Sequence, residues 1–308
     1  MRFCSRTARM SVMPFAKRPT LPWRLRTRTF TLGPRTHVMG VLNITPDSFS
    51  DGGYFFDPRQ AVDHALQMLD QGADLVDIGG ESTRPSSAPL PPLEEQERIL
   101  PVLSAILIAR PNAVLSVDTY HASTAKRAIE VGAEIVNDVS GHLWDKAMSS
   151  TCARLACGNI LMHSHGKPVD WPGQQMLADG DVFPLVEKGL RQCVDGALAA
   201  GIARETIVLD PGFGFGKLGD SNYPLLAHFD QLQELGFPLL AGISRKRFLA
   251  HTIAPMHHGQ PPAPNLRIYA TTAANTAAVL AGAHILRVHD VPQAMEAGAI
   301  ADAILRAG

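Results

Sequence analysis

Short apolar runs recur along this chain, each ending in one or two polar or ionisable side chains and each followed by a stretch with helical periodicity. The first, His37-Val-Met-Gly-Val-Leu-Asn43, passes abruptly into Thr45, Asp47, Ser48, Ser50, Asp51 and the pair Gly52-Gly53. A run apolar at nearly every position reads as a strand buried on both faces, as in a parallel sheet covered by helices. The same form returns at Leu75–Gly79, Val114–Asp118, Glu134–Val139, Asn159–His163, Thr206–Asp210, Pro238–Ser244 and His284–His289.

The intervening segments predict helices. Asp57-Pro58 reads as an N-cap with proline at the first helical position; Ala61, Val62, Ala65, Leu66 and Leu69 form an apolar face that stops at Gly72. Further helices are expected through Leu93, Ile99, Leu100, Leu103 and Ile106, from about Ser123 to Val131, up to about Cys157, on to Ala200, from Asn222 to Leu235, from about Tyr269, and at the C-terminus. Pro255–Pro264 is a loop by composition. Eight strand-then-helix units without a composition break fit a single-domain (β/α)8 TIM barrel over residues 37–308. An open doubly wound sheet is the alternative.

Composition narrows the partners. The 308 residues are 45% hydrophobic and can bury a large core, and a formal net charge of −1 argues against nucleic acid or an anionic membrane as partner. No apolar run reaches membrane-span length, since even Val279–Val288 is broken by Gly282, His284 and Arg287. Cys4, Cys152, Cys157 and Cys193 lack paired spacing, which predicts a reducing, cytoplasmic setting without a disulfide frame or structural zinc. Residues 1–36 hold Arg2, Arg6, Arg9, Lys17, Arg18, Arg24, Arg26, Arg28 and Arg35 and no acidic residue. They read as a basic extension outside the barrel: a targeting peptide, a flexible tail, or an early start given Met10 and Met13.

In a (β/α)8 barrel the active site lies at the C-terminal ends of the strands. Here those ends carry Asn43, Asp77, Asp118, Asn137, His163, Asp210, Ser244 with Lys246, and Arg287 with His289. Carboxylates ending buried runs are costly unless paired or ligand-bound, so their gathering with Asn, Lys and Arg marks a polar site. Asp77, next to Gly79 and Gly80, reads equally well as a structural cap. Pro211-Gly-Phe-Gly-Phe-Gly-Lys217 fails both nucleotide-binding spacings; close backbone approach to a flat ligand, with Phe213 or Phe215 against it, explains the glycines better. His163 and His165 lack a third ligand at metal-site spacing and read as a buried, hydrogen-bonded histidine plus a loop histidine.

Taken together, Met39-Gly-Val-Leu-Asn-Ile-Thr-Pro-Asp-Ser-Phe-Ser-Asp-Gly-Gly53, Gly79-Gly-Glu-Ser-Thr-Arg-Pro85, Ser116-Val-Asp-Thr119, Ile135-Val-Asn-Asp138, Asp210–Lys217, Ser244-Arg-Lys246 and Arg287-Val-His-Asp290 resemble the dihydropteroate synthase family, in the family's order. The resemblance implies a transferase of folate synthesis that joins 6-hydroxymethyl-7,8-dihydropterin diphosphate to p-aminobenzoate, with Mg2+, as a homodimer and sulfonamide target. It implies pterin contacts from Asp118, Asn137, Met162, Asp210 and Lys246, and diphosphate contacts from Arg287, His289 and Arg84. It implies a p-aminobenzoate side shaped by Thr83, Arg84, Pro85, Gly214, Phe215, Ser244 and Lys246, a metal oxygen from Asn43, and catalytic roles for Lys246, Arg287 and His289. The chain departs from the family pattern at His163-Ser-His-Gly166, at Arg247 and Ala250, and at Arg267-Ile-Tyr-Ala-Thr-Thr272. A corrinoid-dependent methyltransferase has no need of Thr83-Arg84 or Arg287-Val-His289, and an idle pterin-binding paralogue would be expected to lose them first.

Overall fold

The computed structural model describes residues 15, 18–44, 58–81 and 89–307. A hairpin of β1 (Leu21–Arg24) and β2 (Thr29–Leu32) precedes eight parallel strands: β3 (His37–Asn43), β4 (Leu75–Gly79), β5 (Leu115–Asp118), β6 (Ile135–Asp138), β7 (Gly158–Met162), β8 (Ile207–Asp210), β9 (Leu240–Ala241) and β10 (Ile285–Val288). The eight hydrogen-bond in the order β8-β7-β6-β5-β4-β3-β10-β9, and a parallel bridge from Leu209 to Leu239 closes the ring. Helices α1 (Pro58–Asp70), α2 (Pro92–Ala109), α3 (Ala122–Val131), α4 (Met148–Leu155), α5 (Asp179–Ala199), α6 (Asn222–Ala227), α7 (Arg247–Ile253), α8 (Ile268–Leu280) and α9 (Val291–Ala307) connect them. This is the barrel, not the open sheet.

Strand periodicity explains how the barrel makes a site. Outward residues such as Val38, Leu42, Val76, Ile78, Val117, Val136, Leu161, Leu209, Leu286 and Val288 pack under the helices. Inward residues Met39, Leu75, Ile135, Ile160, Val208, Leu240 and Ile285 fill the barrel floor. Side chains alternate along a strand, so two residues beyond each floor residue another inward position opens at the upper mouth. Those positions are Val41, Asp77, Asn137, Met162, Asp210, Gly242 and Arg287. Asn43, Ser244 and His289 stand one step higher on their strands.

The floor corrects the boundary expected at residue 37. Trp23, Leu25 and Leu32 of the hairpin are buried against the floor residues, and Trp23 Nε1 donates to Thr206 O at 3.0 Å. Several arginines expected to be extension residues are tied down: Arg18 pairs with buried Asp302, Arg24 with Glu205 at 3.2 Å, Arg28 with Glu134 at 3.1 Å, and Arg35 with Asp74. Residues 18–36 are therefore the plug at the bottom of the barrel. Three smaller expectations also change. Leu93 is 73% exposed at the start of α2 and not on its core face. The helix expected over 222–235 breaks at His228 into α6 and a 3-10 turn at Phe229–Leu235. Helix α7, just before the Pro255–Pro264 loop, is an element that the sequence reading left out, and its Phe248 and Leu249 are buried.

Candidate active site

At the upper mouth Arg287 organises the carboxylates. Its Nε donates to Asp77 Oδ2 at 2.7 Å and its Nη2 to Asp118 Oδ2 at 2.5 Å, while Nη1 makes no hydrogen bond among the described residues. The side chain is 18% exposed, and Asp77 beneath it is fully buried. Burial by itself would lower the guanidinium's pKa, but Asp77 and Asp118 outweigh it and hold it above its usual value. Burial likewise lifts Asp118 to about 7 against the pull of Arg287.

Asp77, which the sequence leaves open between a site residue and a structural cap, is therefore part of the network at the mouth. It also accepts from Asn137 Nδ2 at 2.8 Å, an assignment set by the hydrogen-bond network. That bond turns the Asn137 carbonyl oxygen toward the cavity. Asp210 is similarly half-engaged: Oδ1 accepts from Gly212 N at 2.7 Å, and Oδ2 has no partner among the described residues. Burial raises its pKa, with the Gly212 amide, Lys246 and Arg287 pulling the other way. The mouth thus presents desolvated acceptors on Asp210, Asn137 and Asp118 beside the donors of Arg287 Nη1 and Lys246. A flat heterocycle with adjacent N–H groups and a ring carbonyl would satisfy them together.

Lys246 Nζ stands 4.1 Å from the Phe215 ring centroid, and burial lowers its pKa to about 8. Gly214, at φ +80°, lies against the Lys246 stem: an added Cβ would come within 3.3 Å of Cδ. Phe213, in contrast, is fully buried and stacks in the core on Phe229 and Phe248, so only Phe215 of the expected pair faces the site. The glycines serve backbone packing. A Cβ at Gly212 or Gly216 would fall 2.1 Å from His163 O or 2.0 Å from His165 O. The flat ligand inferred for these glycines is thus displaced by the chain itself.

His289 and Ser244 form one unit. Ser244 Oγ accepts from His289 N at 3.2 Å and lies 3.0 Å from His289 Nδ1, and with the hydroxyl assigned as donor in the second contact the ring hydrogen falls on Nε2. Burial, then Arg245 and Arg287, draws the imidazole down to about 3. His289 is thus a neutral ring carrying its hydrogen on Nε2, a donor and not a cation. Ser244 consequently acts by orienting His289. Arg245, at φ +59°, grips Asp290 through bonds of 2.9 and 2.6 Å and locks the two loops together. Met162 is buried on the inward face of β7. Asn43 is half-buried at the end of β3 and makes no hydrogen bond with the described residues. Thr83, Arg84 and Pro85 lie outside the described residues. His163 is buried and bonded to Lys217 at 3.1 Å, and no metal-holding group of His, Cys, Asp or Glu occurs among the described residues.

The pterin-binding enzyme family matches residues 39–289. The chain is 40% identical over 278 residues to the dihydropteroate synthase of Synechocystis sp., covering 90% of this chain and 93% of that one. The chain belongs to the dihydropteroate synthase family. Among solved family members, the Yersinia pestis dihydropteroate synthase in a sulfonamide drug complex superposes with a TM-score of 0.83 at 37% identity, over 94% of this chain and 100% of that one. The Xanthomonas albilineans dihydropteroate synthase in complex with 7,8-dihydropteroate gives 0.78 at 36% identity, over 92% and 98%.

A pH dependence follows for this family member. A carboxylate accepts a ring N–H only when ionised and an ammonium donates only when protonated, and the values of Asp118 and Lys246 at this mouth are about 7 and about 8. Pterin affinity of the free protein should rise with pH through the first and fall through the second, giving a narrow bell of macroscopic constants. Stability carries the other sign for Asp118, whose folded value lies above its unfolded one: its contribution is full below the unfolded pKa and lost as pH rises through about 7. Calorimetric titration with the pterin alcohol from acid to alkaline pH checks the bell, and a flat profile contradicts it.

Proposed function

We propose that this cavity binds 6-hydroxymethyl-7,8-dihydropterin diphosphate by its pterin edge and transfers the pterin methylene to the amine of p-aminobenzoate, yielding 7,8-dihydropteroate and diphosphate. The observation that carries this reading is the pairing, in one mouth, of acceptor oxygens on the buried side chains of Asp210 and Asn137 with Arg287 Nη1, none of the three bonded at these atoms among the described residues, and with the imidazole of neutral His289. The acceptors suit the ring N–H groups, and the donors suit the leaving group.

In the reaction the methylene C–O bond breaks with its electron pair leaving on the diphosphate, the amine nitrogen forms the new C–N bond, and that nitrogen gives up one proton to the released diphosphate or to solvent. Arg287 and His289 stabilise charge accumulating on the departing oxygens. Asp118 and Asp210, ionised around the ring, stabilise the positive charge left on the pterin. Phe215 and Lys246 flank the aromatic amine, Lys246 also reaching the ring carbonyl, and Thr83, Arg84 and Pro85 are proposed to complete that side.

Asn43 offers one hard oxygen that no described residue bonds, which fits Mg2+ completed by waters and diphosphate oxygens and not a cage of the described residues. Bound there, Mg2+ would neutralise charge on the leaving diphosphate. We further propose a homodimer through α8 and the adjoining α9, whose outer surfaces carry Tyr269 at 90% exposure, Ala273, Ala277, Ile300 and Ile304. Sedimentation as a monomer at micromolar concentration would remove the dimer. A cytoplasmic setting is in keeping with three free buried cysteines, and among the described residues no helix is long and apolar enough to cross a membrane.

One assay tests the whole reading: diphosphate release with and without p-aminobenzoate, across Mg2+ concentrations, in the wild type and in Asn43→Ala. Release should depend on p-aminobenzoate, a sulfonamide should compete with p-aminobenzoate alone, and the variant should need more Mg2+. Sulfonamide competition with the pterin diphosphate would overturn the two-pocket layout.

A further inference from the structure

No step of the reaction uses Lys217, the last residue of the glycine-rich run. It is 1% exposed and forms no ion pair among the described residues. A buried ammonium without a carboxylate is an expensive thing for a core to hold, so its surroundings carry information. Its three N–H donors meet three acceptors: Phe215 O at 3.0 Å, His163 Nδ1 at 3.1 Å and His163 O at 3.2 Å. All three belong to two segments, the end of β7 and the loop after β8.

Those segments lie flush because Gly212 and Gly216 have φ of 69° and 67°, but few other bonds join them. His163 N donates to Asp210 O at 2.9 Å, and His165 N to Phe215 O at 3.2 Å. Asn222 holds the far side of the loop: its Oδ1 accepts from Gly214 N at 2.7 Å, and its Nδ2 donates to Lys217 O at 2.9 Å. The residue whose carbonyl Lys217 holds is the one whose ring faces Lys246, with Trp171 edge-on at 5.6 Å. Trp171 in turn donates to His165 O at 3.1 Å, so both sides of the Phe215 ring depend on the same junction.

We propose that Lys217 is a positioning residue that pins the loop after β8 to the end of β7 and thereby sets the Phe215 ring and the Lys246 ammonium around the aromatic amine. This rests on p-aminobenzoate being the second substrate. The groups facing Lys217 are Asp210 from β8, Lys246 from the start of α7, and His163 and His165 from the segment after β7. Burial draws Lys217 down to about 7, with Asp210 opposing and Lys246 reinforcing the change. Asp210 itself is held within its strand and by the Gly212 amide, so the pterin side depends far less on the pin.

The test compares Lys217→Met, which keeps the length and loses every donor, with Lys217→Gln, which retains two N–H donors for the two carbonyls. In Lys217→Met the KM for p-aminobenzoate should rise by about tenfold or more while the Kd of the pterin alcohol moves by less than about threefold. Lys217→Gln should recover a large part of that rise. Equal losses for both ligands, or an unmoved KM in a folded Lys217→Met, overturn the proposal. Failure of both variants to fold also overturns it, because Lys217 would then be a core residue alone. The wild type is assayed in parallel: absence of p-aminobenzoate-dependent turnover there refutes the reaction and the pin together, whereas turnover with an unmoved variant refutes only the pin.

Discussion

Replacing Asp210 by asparagine should weaken pterin binding by about a hundredfold to ten-thousandfold while leaving thermal stability intact. Asp210 Oδ1 is already committed to the Gly212 amide at 2.7 Å, which leaves Oδ2 for the ligand. In the variant that amide still requires an acceptor, so the asparagine carbonyl takes the Oδ1 place and its NH2 takes the place of Oδ2. A donor then confronts the ring N–H groups. Two charge-assisted bonds of about 1.5–3 kcal/mol each are lost, which is the source of the fold-change. Stability should not fall, because burial raises the Asp210 pKa and the neutral amide removes that desolvated charge. Calorimetry with the pterin alcohol and a thermal melt decide it together. Unchanged affinity in a folded variant would reject the assignment, and a large loss of melting temperature would recast Asp210 as a structural residue.

The barrel and most of its polar mouth were legible because burial on both faces makes a parallel strand apolar almost throughout, so the exceptions stand out. Asp118, Asn137, Asp210 and Arg287 are such exceptions, each two residues beyond or near a floor residue. Asp77 was ambiguous because a strand-end carboxylate followed by glycines satisfies a turn as well as a network, and only its bonds to Arg287 and Asn137 separate the two. The hairpin was missed for a different reason. Its arginines dominate the composition of residues 18–36, yet Leu21, Trp23 and Leu25 alternate with Pro22, Arg24 and Arg26 in the two-residue period of a strand, and Gly33 sits at φ +120°. Periodicity carried a signal that net charge hid. For Lys217, comparison with nucleotide loops drew attention to which glycines were present and away from the lysine. No pattern in a single chain announces that three separate acceptors will meet at one ammonium. His289 shows the same limit: its residue type suggests a cation for the diphosphate, and its burial in the fold, with the surrounding Arg245, Arg287 and Lys246, makes it neutral.

That distinction separates the two residues at the end of β10. Arg287→Ala removes the partner of both Asp77 and Asp118, and breaking a buried pair of this kind costs about 3–5 kcal/mol. The stranded carboxylates escape by taking up protons, so Asp118 ceases to accept a ring N–H near neutral pH. The loss therefore extends beyond the diphosphate. Turnover expressed as kcat/KM should fall by about two to three orders of magnitude, with weaker binding of both the diphosphate substrate and the bare pterin alcohol. Lysine at 287 should restore little, since one ammonium cannot span the two carboxylates that Nε and Nη2 bridge. His289→Ala removes a single neutral N–H from the anion and touches no pterin acceptor. It should weaken the diphosphate substrate by about tenfold, with the pterin alcohol unaffected. Titrating both variants with both ligands reads out the ratio of the two affinities. A ratio unchanged by His289→Ala, accompanied by a lower melting temperature, would make the histidine a brace for Ser244 and remove it from the diphosphate site.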